Sequence, residues 1–347
     1  MPLMDKPATP LKVMIAGVGG ASLGTEISKS LRLAGGYEVF GCDVSSTAYG
    51  LYDPGFARTY RVSLNDYAAT VVDACKDAGA RWLIPGGEQP AHLLGAASQQ
   101  LADSGIQLVG NAPQVVAVCS DKDATFQWLA AHGIAIPRTV PLERPAQLAY
   151  VGLPCVVKPA TNSGGSAFVF FAVSADEAMV YADFIRRNGG RPIAQEYLDI
   201  AEGEFTIGVL SLPDQRLVGA IAMRRELNAK LSLAYRGRGG IVSSGYSQGH
   251  IGEYPSVCRQ AEQIAGTMGS RGPINIQGRV RGGTLLPFEI NPRFSASTYL
   301  RAMAGFNEVD AMLRYLALGV EPRRPVIRPG WYLRSLTEQY VPEDGLR

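Results

Sequence analysis

The sequence predicts a mixed α/β and α+β chain: a Rossmann-like parallel-sheet domain first, then an α+β region with a mobile lid. Three observations carry that expectation. Residues 11–43 read as a β-α-β unit whose first turn, GVGGASLG, is glycine-rich. Residues 154–173 read as strand, Gly/Ser loop and returning strand. Residues 272–293 read as two β-runs, GPINIQGRV and LLPFEINPR, joined by a Gly-Gly turn at Gly282 and Gly283.

Composition narrows the class. A chain of 347 residues with 46% hydrophobic and 18% charged residues can bury a large core in two or three subdomains. A formal net charge of +2 and the lack of a long Lys/Arg run speak against a nucleic-acid partner. The five cysteines are scattered without a CxxC pair, which reads as free thiols in a reducing compartment, and the three histidines have no metal-ligand spacing. No apolar run reaches the roughly 20 residues a membrane span needs, and residues 1–10 lack a signal-peptide h-region. A soluble cytoplasmic enzyme with no membrane partner is the expectation.

In order, residues 11–16 (LKVMIA) form the first strand, a helical pattern runs to Leu33, and residues 37–42 (YEVFGC) form a second strand ending at Asp43. Asp43 stands where a dinucleotide-binding fold carries its ribose acid, but GxGGxxxG departs from GxGxxG, so NAD binding and a structural turn both remain open. Residues 71–85 and 91–109 each add a helix and a strand. Residues 120–132 (SDKDATFQWLAAH) begin a helix that Ser120 or Asp121 caps and Gly133 ends. The strand of residues 154–159 (PCVVKP) ends in Lys158 and Pro159, and the small residues that follow suit close approach to a phosphate. Residues 174–187 form an amphipathic helix with a Ser174–Glu177 capping box. Strands follow at 192–198, 204–210 and 217–223, the last running into Arg224 and Arg225. Residues 235–246 (YRGRGGIVSSGY) read as an irregular loop, either disordered or an anion-binding active-site segment. Helices are expected over 256–270 and over 300–318, the latter interrupted near Gly305, before an irregular tail of about 25 residues.

Side chains alternate along a strand, so Asn275, Gln277 and Arg279 share one face, and Glu289 and Asn291 another. Gln277, Glu289 and Asn291 are oxygen donors of the kind Mg²⁺ prefers; a solvated hairpin face would show the same alternation. The wording FEINPR, with SDK, VVKP and SGGS before it, resembles the ATP-grasp superfamily, in particular the ATP-binding domains of carbamoyl phosphate synthetase large subunits. The resemblance spans roughly residues 11–318 and implies a pre-ATP-grasp domain followed by an ATP-grasp fold. It implies a pre-ATP-grasp domain over 1–115, a lid subdomain over 116–195, a large subdomain with the metal site over 196–325, and a tail over 326–347.

By resemblance, Lys122 and Lys158 contact nucleotide phosphates, and Ser163, Gly164, Gly165 and Ser166 form the lid over them. Glu196, Tyr197 and Leu198 resemble the adenine hinge and Glu204 the ribose acid. Gln277, Glu289 and Asn291 resemble the Mg²⁺ (or Mn²⁺) site, Gln277 standing where many such ligases carry an acid, so one ion or two remain open. Arg293 resembles the arginine that steadies the transferred phosphoryl group. The implied activity is an ADP-forming carboxylate–amine ligase acting through an acyl phosphate on small molecules, free-standing rather than part of a carbamoyl phosphate synthetase, and compatible with a homodimer. Arg293, Lys158 and Arg224 are the expected catalytic cations, with Arg225, Arg236 and Arg238 as further carboxylate clamps. The alternatives are a kinase-like ATP-grasp enzyme and an NAD-dependent oxidoreductase.

Overall fold

The computed structural model describes residues 9–20, 22–161, 168–237 and 240–347. The first unit contains β1 (Leu11–Ala16), α1 (Leu23–Ala34), β2 (Tyr37–Asp43), β3 (Arg58–Arg61), α2 (Tyr67–Ala78), β4 (Trp82–Pro85), α3 (Glu88–Ala96), α4 (Ser98–Asp103) and β5 (Gln107–Leu108). Its five strands are all parallel in the order β3-β2-β1-β4-β5. The apolar runs of β1 and β4 are buried throughout their pairing, as expected of central strands covered on both faces. β3 was not foreseen, because RTYR has neither an apolar run nor clean alternation. The single helix expected over 91–101 is two, broken at Ala97.

The second unit follows α5 (Pro113–Cys119) and α6 (Lys122–Ala131): β6 (Thr139–Pro141), α7 (Leu148–Val151), β7 (Cys155–Pro159), β8 (Phe170–Ala172), α8 (Ala175–Arg187) and β9 (Pro192–Glu196). Its antiparallel sheet has the order β6-β9-β7-β8. Cys155 and Val157 enter a core with Ala178, Ala182 and Ile185 of α8. Alternation therefore turns Val156 and Lys158 to the opposite face.

The third unit contains β10 (Glu204–Ser211), β11 (Leu217–Arg225), β12 (Leu233–Gly237), β13 (Gly240–Ser243), β14 (Gly249–Ile251), α9 (Pro255–Thr267), β15 (Pro273–Arg281), β16 (Thr284–Asn291), α10 (Thr298–Met303), α11 (Glu308–Leu318) and β17 (Gly330–Tyr332). Six strands form one sheet, β16-β15-β10-β11-β14-β17, antiparallel throughout. One face packs Ile207, Val209, Ile274 and Ile276 against α9 and against Phe126 and Leu129 of α6. The other face is divided along its length. Its apolar end, with Leu210, Ile221 and Met223, shares a core with Val309 and Leu313 of α11 and Ile27 and Leu31 of α1. Its polar end carries Glu204, Gln277, Arg279 and Glu289.

Two expectations change here. The segment taken for an irregular tail supplies β17, whose Trp331 pairs with His250, and Arg334 donates from Nη2 to Glu26 Oε2 of α1 at 3.2 Å. Residues 235–246 hold most of a β-hairpin, β12–β13, rather than an irregular loop. Among the described residues no helix is long and apolar enough to cross a membrane.

Candidate functional site

The polar end of the large sheet and the open face of the small sheet enclose a cleft with about 670 Å³ of empty space. Lys122, Lys158, Glu196, Tyr197, Leu198, Glu204 and Glu289 line it. These residues come from segments as distant in sequence as Lys122 and Glu289, and β-alternation explains the direction of those on strands.

Lys158 is a buried cation of the cleft. Its Nζ donates to Gln195 Oε1 and to the Phe288 carbonyl, both at 2.9 Å, and lies 5.1 Å from the Phe126 ring centre. The Phe288 carbonyl is available for a structural reason. Gln277 pairs with Glu289 but Gly278 pairs with Pro287, so Phe288 is the extra residue of a β-bulge and leaves the ladder. Both partners of Nζ are neutral, and among the described residues no carboxylate forms an ion pair with it. Burial therefore pushes Lys158 down to about 7, Lys122 adds to the effect, and Glu289 opposes it. Lys122 is held at the start of α6: Asp121 caps the helix by accepting from Asp123 and Ala124 N–H, and Lys122 N–H donates to the Ala160 carbonyl at 2.8 Å.

The expected metal ligands come together on the β15–β16 face. Gly282 and Gly283, with φ of 58° and 73°, make the tight turn that sets the hairpin register. That register places Gln277 opposite Glu289 and Asn275 opposite Asn291, and Gln277 Nε2 donates to Glu289 Oε2 at 2.7 Å. One carboxylate and two amide oxygens form a hard-oxygen donor set, which fits Mg²⁺ or Mn²⁺ sharing its shell with phosphate and water. Among the described residues no cluster of three His, Cys, Asp or Glu side chains offers another metal site. Beneath this face Arg301, fully buried, donates from Nη2 to Asn275 Oδ1 at 2.6 Å. Gly208 leaves the necessary room, since a Cβ there would lie 2.4 Å from Arg301 Nη1.

Glu204 sits between two arginines. Arg225 Nη1 donates to its Oε1 at 3.1 Å and Arg279 Nε to its Oε2 at 2.8 Å. Burial alone would raise this carboxyl, but Arg225 and Arg279 hold it below the ordinary glutamate range. A sugar hydroxyl at Glu204 must therefore share oxygens already engaged. Arg279 does more: it donates to the Leu198 carbonyl and, at 2.8 Å, to the Ile241 carbonyl, and its guanidinium lies 4.9 Å from the Tyr197 ring centre. Ile241 N–H donates to Tyr197 Oη at 2.9 Å. Hinge, acid and β12–β13 hairpin thus meet at one residue, whose position on the polar face was legible but whose partners were not. Glu196, at the rim of the cleft, is held by Arg138 and Arg281; burial would raise it, and those hydrogen bonds bring it below its usual range.

Of the arginine pair, the structure brings Arg225 rather than Arg224 to the site. Arg224 pairs with Phe205, whose side chain enters the core on the opposite sheet face, so Arg224 stands on the face away from Glu204. Arg225 also donates to the Ser244 and Tyr246 carbonyls, at 2.7 and 2.9 Å. Arg236 is spent on the Leu227 carbonyl and Asn228. Arg238, with Ser163, Gly164, Gly165 and Ser166, lies outside the described residues. Arg293 is half-buried beside the metal face, donating to Asn291 Oδ1 at 3.3 Å and to the Phe294 carbonyl at 2.9 Å. Burial lowers it from the usual guanidinium range, with Glu289 and Glu88 opposing.

The glycine-rich turn of the first unit is accounted for by packing. A Cβ on Gly24 or Gly86 would lie 1.9 or 2.0 Å from the Gly17 carbonyl oxygen, so three backbone segments touch there. Asp43 closes the turn itself, accepting from Val18 N–H at 2.7 Å and Ser45 N–H at 2.9 Å. Both its oxygens serve the protein backbone, which favours the structural turn over the dinucleotide reading.

The ATP-grasp domain family matches residues 119–297. The carbamoyl phosphate synthase large chain of Deinococcus radiodurans is 28% identical over 219 residues, 60% of this chain and 20% of that protein. The D-alanine–D-alanine ligase of Corynebacterium efficiens is 34% identical over 133 residues, 37% of this chain and 36% of the ligase. The L-amino acid ligase of Bacillus licheniformis superposes with a TM-score of 0.63 at 16% identity, covering 89% of this chain and 74% of that one. The biotin carboxylase domain of the Hydrogenobacter thermophilus 2-oxoglutarate carboxylase gives 0.65 at 14% identity, over 92% and 73%. At such identities the structural likeness speaks for fold, and the chain spans about a fifth of the carbamoyl phosphate synthase large chains it matches.

Proposed function

This chain belongs to the ATP-grasp family, and from that membership we propose that it is an ADP-forming ligase joining a carboxylate to an amine. The observation that carries the reading is Lys158, a buried cation held by neutral oxygens and facing Lys122 and Glu289 across an open cleft. Such a site is short of negative charge, and a polyphosphate supplies it. Adenine lies against residues 196–198, and the phosphates run towards Lys122, Lys158 and Arg293. Gln277, Glu289 and Asn291 would hold Mg²⁺ or Mn²⁺, which when bound offsets charge on the phosphate oxygens.

The substrate carboxylate attacks the γ-phosphorus, ADP leaves, and the acyl phosphate yields an amide and inorganic phosphate when the amine attacks. Phosphoryl transfer needs alignment and charge compensation more than covalent help. Lys158, fixed by the bulge at Phe288, cannot drift from its place, and Arg293 steadies the transferred group. The β12–β13 hairpin, tied at Ile241 to Tyr197 and Arg279, walls the cleft against water, which would hydrolyse an acyl phosphate. The free thiols match a reducing compartment, and we place the enzyme in the cytoplasm.

The test is a phosphate-release screen over carboxylate and amine pairs, with mass spectrometry of products. ¹⁸O placed in the substrate carboxylate should deliver one labelled atom to inorganic phosphate, with ADP and an amide. AMP and pyrophosphate, or unlabelled phosphate beside amide, overturn the acyl phosphate route. A stable phosphorylated product formed without amine would instead make the protein a kinase-like member of the family.

A further inference from the structure

Beside Arg293 the fold leaves two hollows that the nucleotide cleft does not use. The outer one, with about 1420 Å³ of empty space, is lined by Glu88, His92, Ser120, Asn291 and Arg293. The inner one, about 1250 Å³, reaches Pro85, Val109, Ala117, Pro273 and Phe294. Ala91, His92, Val116, Ser120, Pro292 and Arg293 line both, so the two are one passage, charged at its mouth and apolar at its end.

Its apolar end is open rather than packed. Gly95 and Gly110 line it, and a Cβ built on either meets no atom within 4 Å. Concave apolar surface beside a few converging polar groups is the usual form of a small-molecule site. Arg293 sits at the junction of the two hollows, adjacent to Asn291 of the metal face.

We infer that this passage binds a carboxylate bearing an apolar side chain, its carboxylate at Arg293 and its side chain in the inner hollow. The inference rests on the ligase reading and names the substrate class which that reading leaves open. Glu88, at the mouth with Arg293, is placed to take an ammonium group when the carboxylate belongs to an amino acid. A plain aliphatic acid would leave Glu88 solvated.

Calorimetry on the intact chain with Mg·ADP tests this with glycine, alanine, valine, leucine and 4-methylpentanoate. From alanine to leucine the affinity should rise about fourfold per added carbon. Gly95→Leu fills the inner hollow and should cut leucine affinity at least tenfold; ADP binding on the same sample checks that the variant is folded. Ala117→Leu, from the other wall, should act in the same direction. Equal affinities along the series, or a leucine preference that survives both substitutions, overturn the inference. Tighter binding of leucine than of 4-methylpentanoate identifies an amino acid; equal binding identifies a plain acid. A size preference without carboxylate-dependent ADP formation would sink the ligase reading alone. ADP formation indifferent to side-chain size would sink this inference alone.

Discussion

Lys158 should take up a proton when nucleotide binds, and Lys158→Arg should abolish that uptake. In the free chain burial holds Lys158 at about 7, with Lys122 acting in the same direction. Phosphates beside Nζ would return it towards the ordinary lysine value of about 10.4. Between those values the complex binds more protons than the free protein, so binding draws in about 0.9 proton at pH 8 but only about 0.1 at pH 6. The same difference makes ADP binding about tenfold weaker at pH 8 than at pH 6, roughly 1.4 kcal/mol. Stability of the free chain follows the same group with its own sign. Between pH 7 and about 10.4 the unfolded lysine binds more protons than the folded one, so this contribution to stability improves as pH rises through that window. The assay is calorimetric titration of ADP with Mg²⁺ in buffers of contrasting ionisation enthalpy. Arginine stays charged, so Lys158→Arg should show a heat independent of buffer once the nucleotide's own protons are subtracted. A wild-type heat at pH 8 that does not change with buffer, or equal uptake in Lys158→Arg, would refute the reasoning.

Glu289→Gln keeps an oxygen but loses the charge facing the cation, and should weaken the Mg²⁺ dependence of ATP turnover by roughly 100-fold with unchanged circular dichroism, since even outer metal partners reach that effect; unchanged turnover at limiting Mg²⁺ removes Glu289 from the site. Glu204→Gln leaves Arg225 and Arg279 buried without their carboxylate, and urea unfolding should show a loss of about 3–5 kcal/mol. Because Glu204 is held below its unfolded value, its contribution is present above about pH 4.3 and is lost as pH falls through the folded value, so the variant's penalty should shrink in acid. Tyr197→Phe strips the Ile241 N–H of its acceptor and should weaken ADP binding about tenfold through an unpaired, half-buried donor; an unchanged affinity would show that the hairpin is not held to the hinge this way. Arg225→Ala should abolish turnover while Arg224→Ala, on the opposite sheet face, keeps it; the reverse result would mean the strand's register is misassigned.

Much of the site was legible in one dimension because strand alternation is local. The β15–β16 face, the Gly-Gly turn and the strand ending in Lys158 follow from period-two patterning and turn chemistry, and they determined which oxygens and cations the chain could offer. Helix limits were legible where caps mark them, as at Asp121 and Ser174, and less so where a short polar strand such as β3 owes its existence to its neighbour in the sheet.

What only the tertiary structure decided depends on partners distant in sequence. Arg224 and Arg225 are equivalent by composition, and pairing with Phe205 and Glu204 separates them. The bulge that frees the Phe288 carbonyl appears only when β16 is laid against β15, and its use appears only when β7 arrives from the other sheet. Arg279 faces the cleft by alternation, but its hold on Leu198 and Ile241 needs the hinge and the hairpin to close on it. The segment after α11 looks irregular alone because three residues cannot make a strand without an edge to pair with, and β14 supplies it. The sequence by itself determined the family, the sheet patterning and the chemical types at the site. Register, burial and the hollow beside Arg293 arise from long-range packing, which no local pattern encodes.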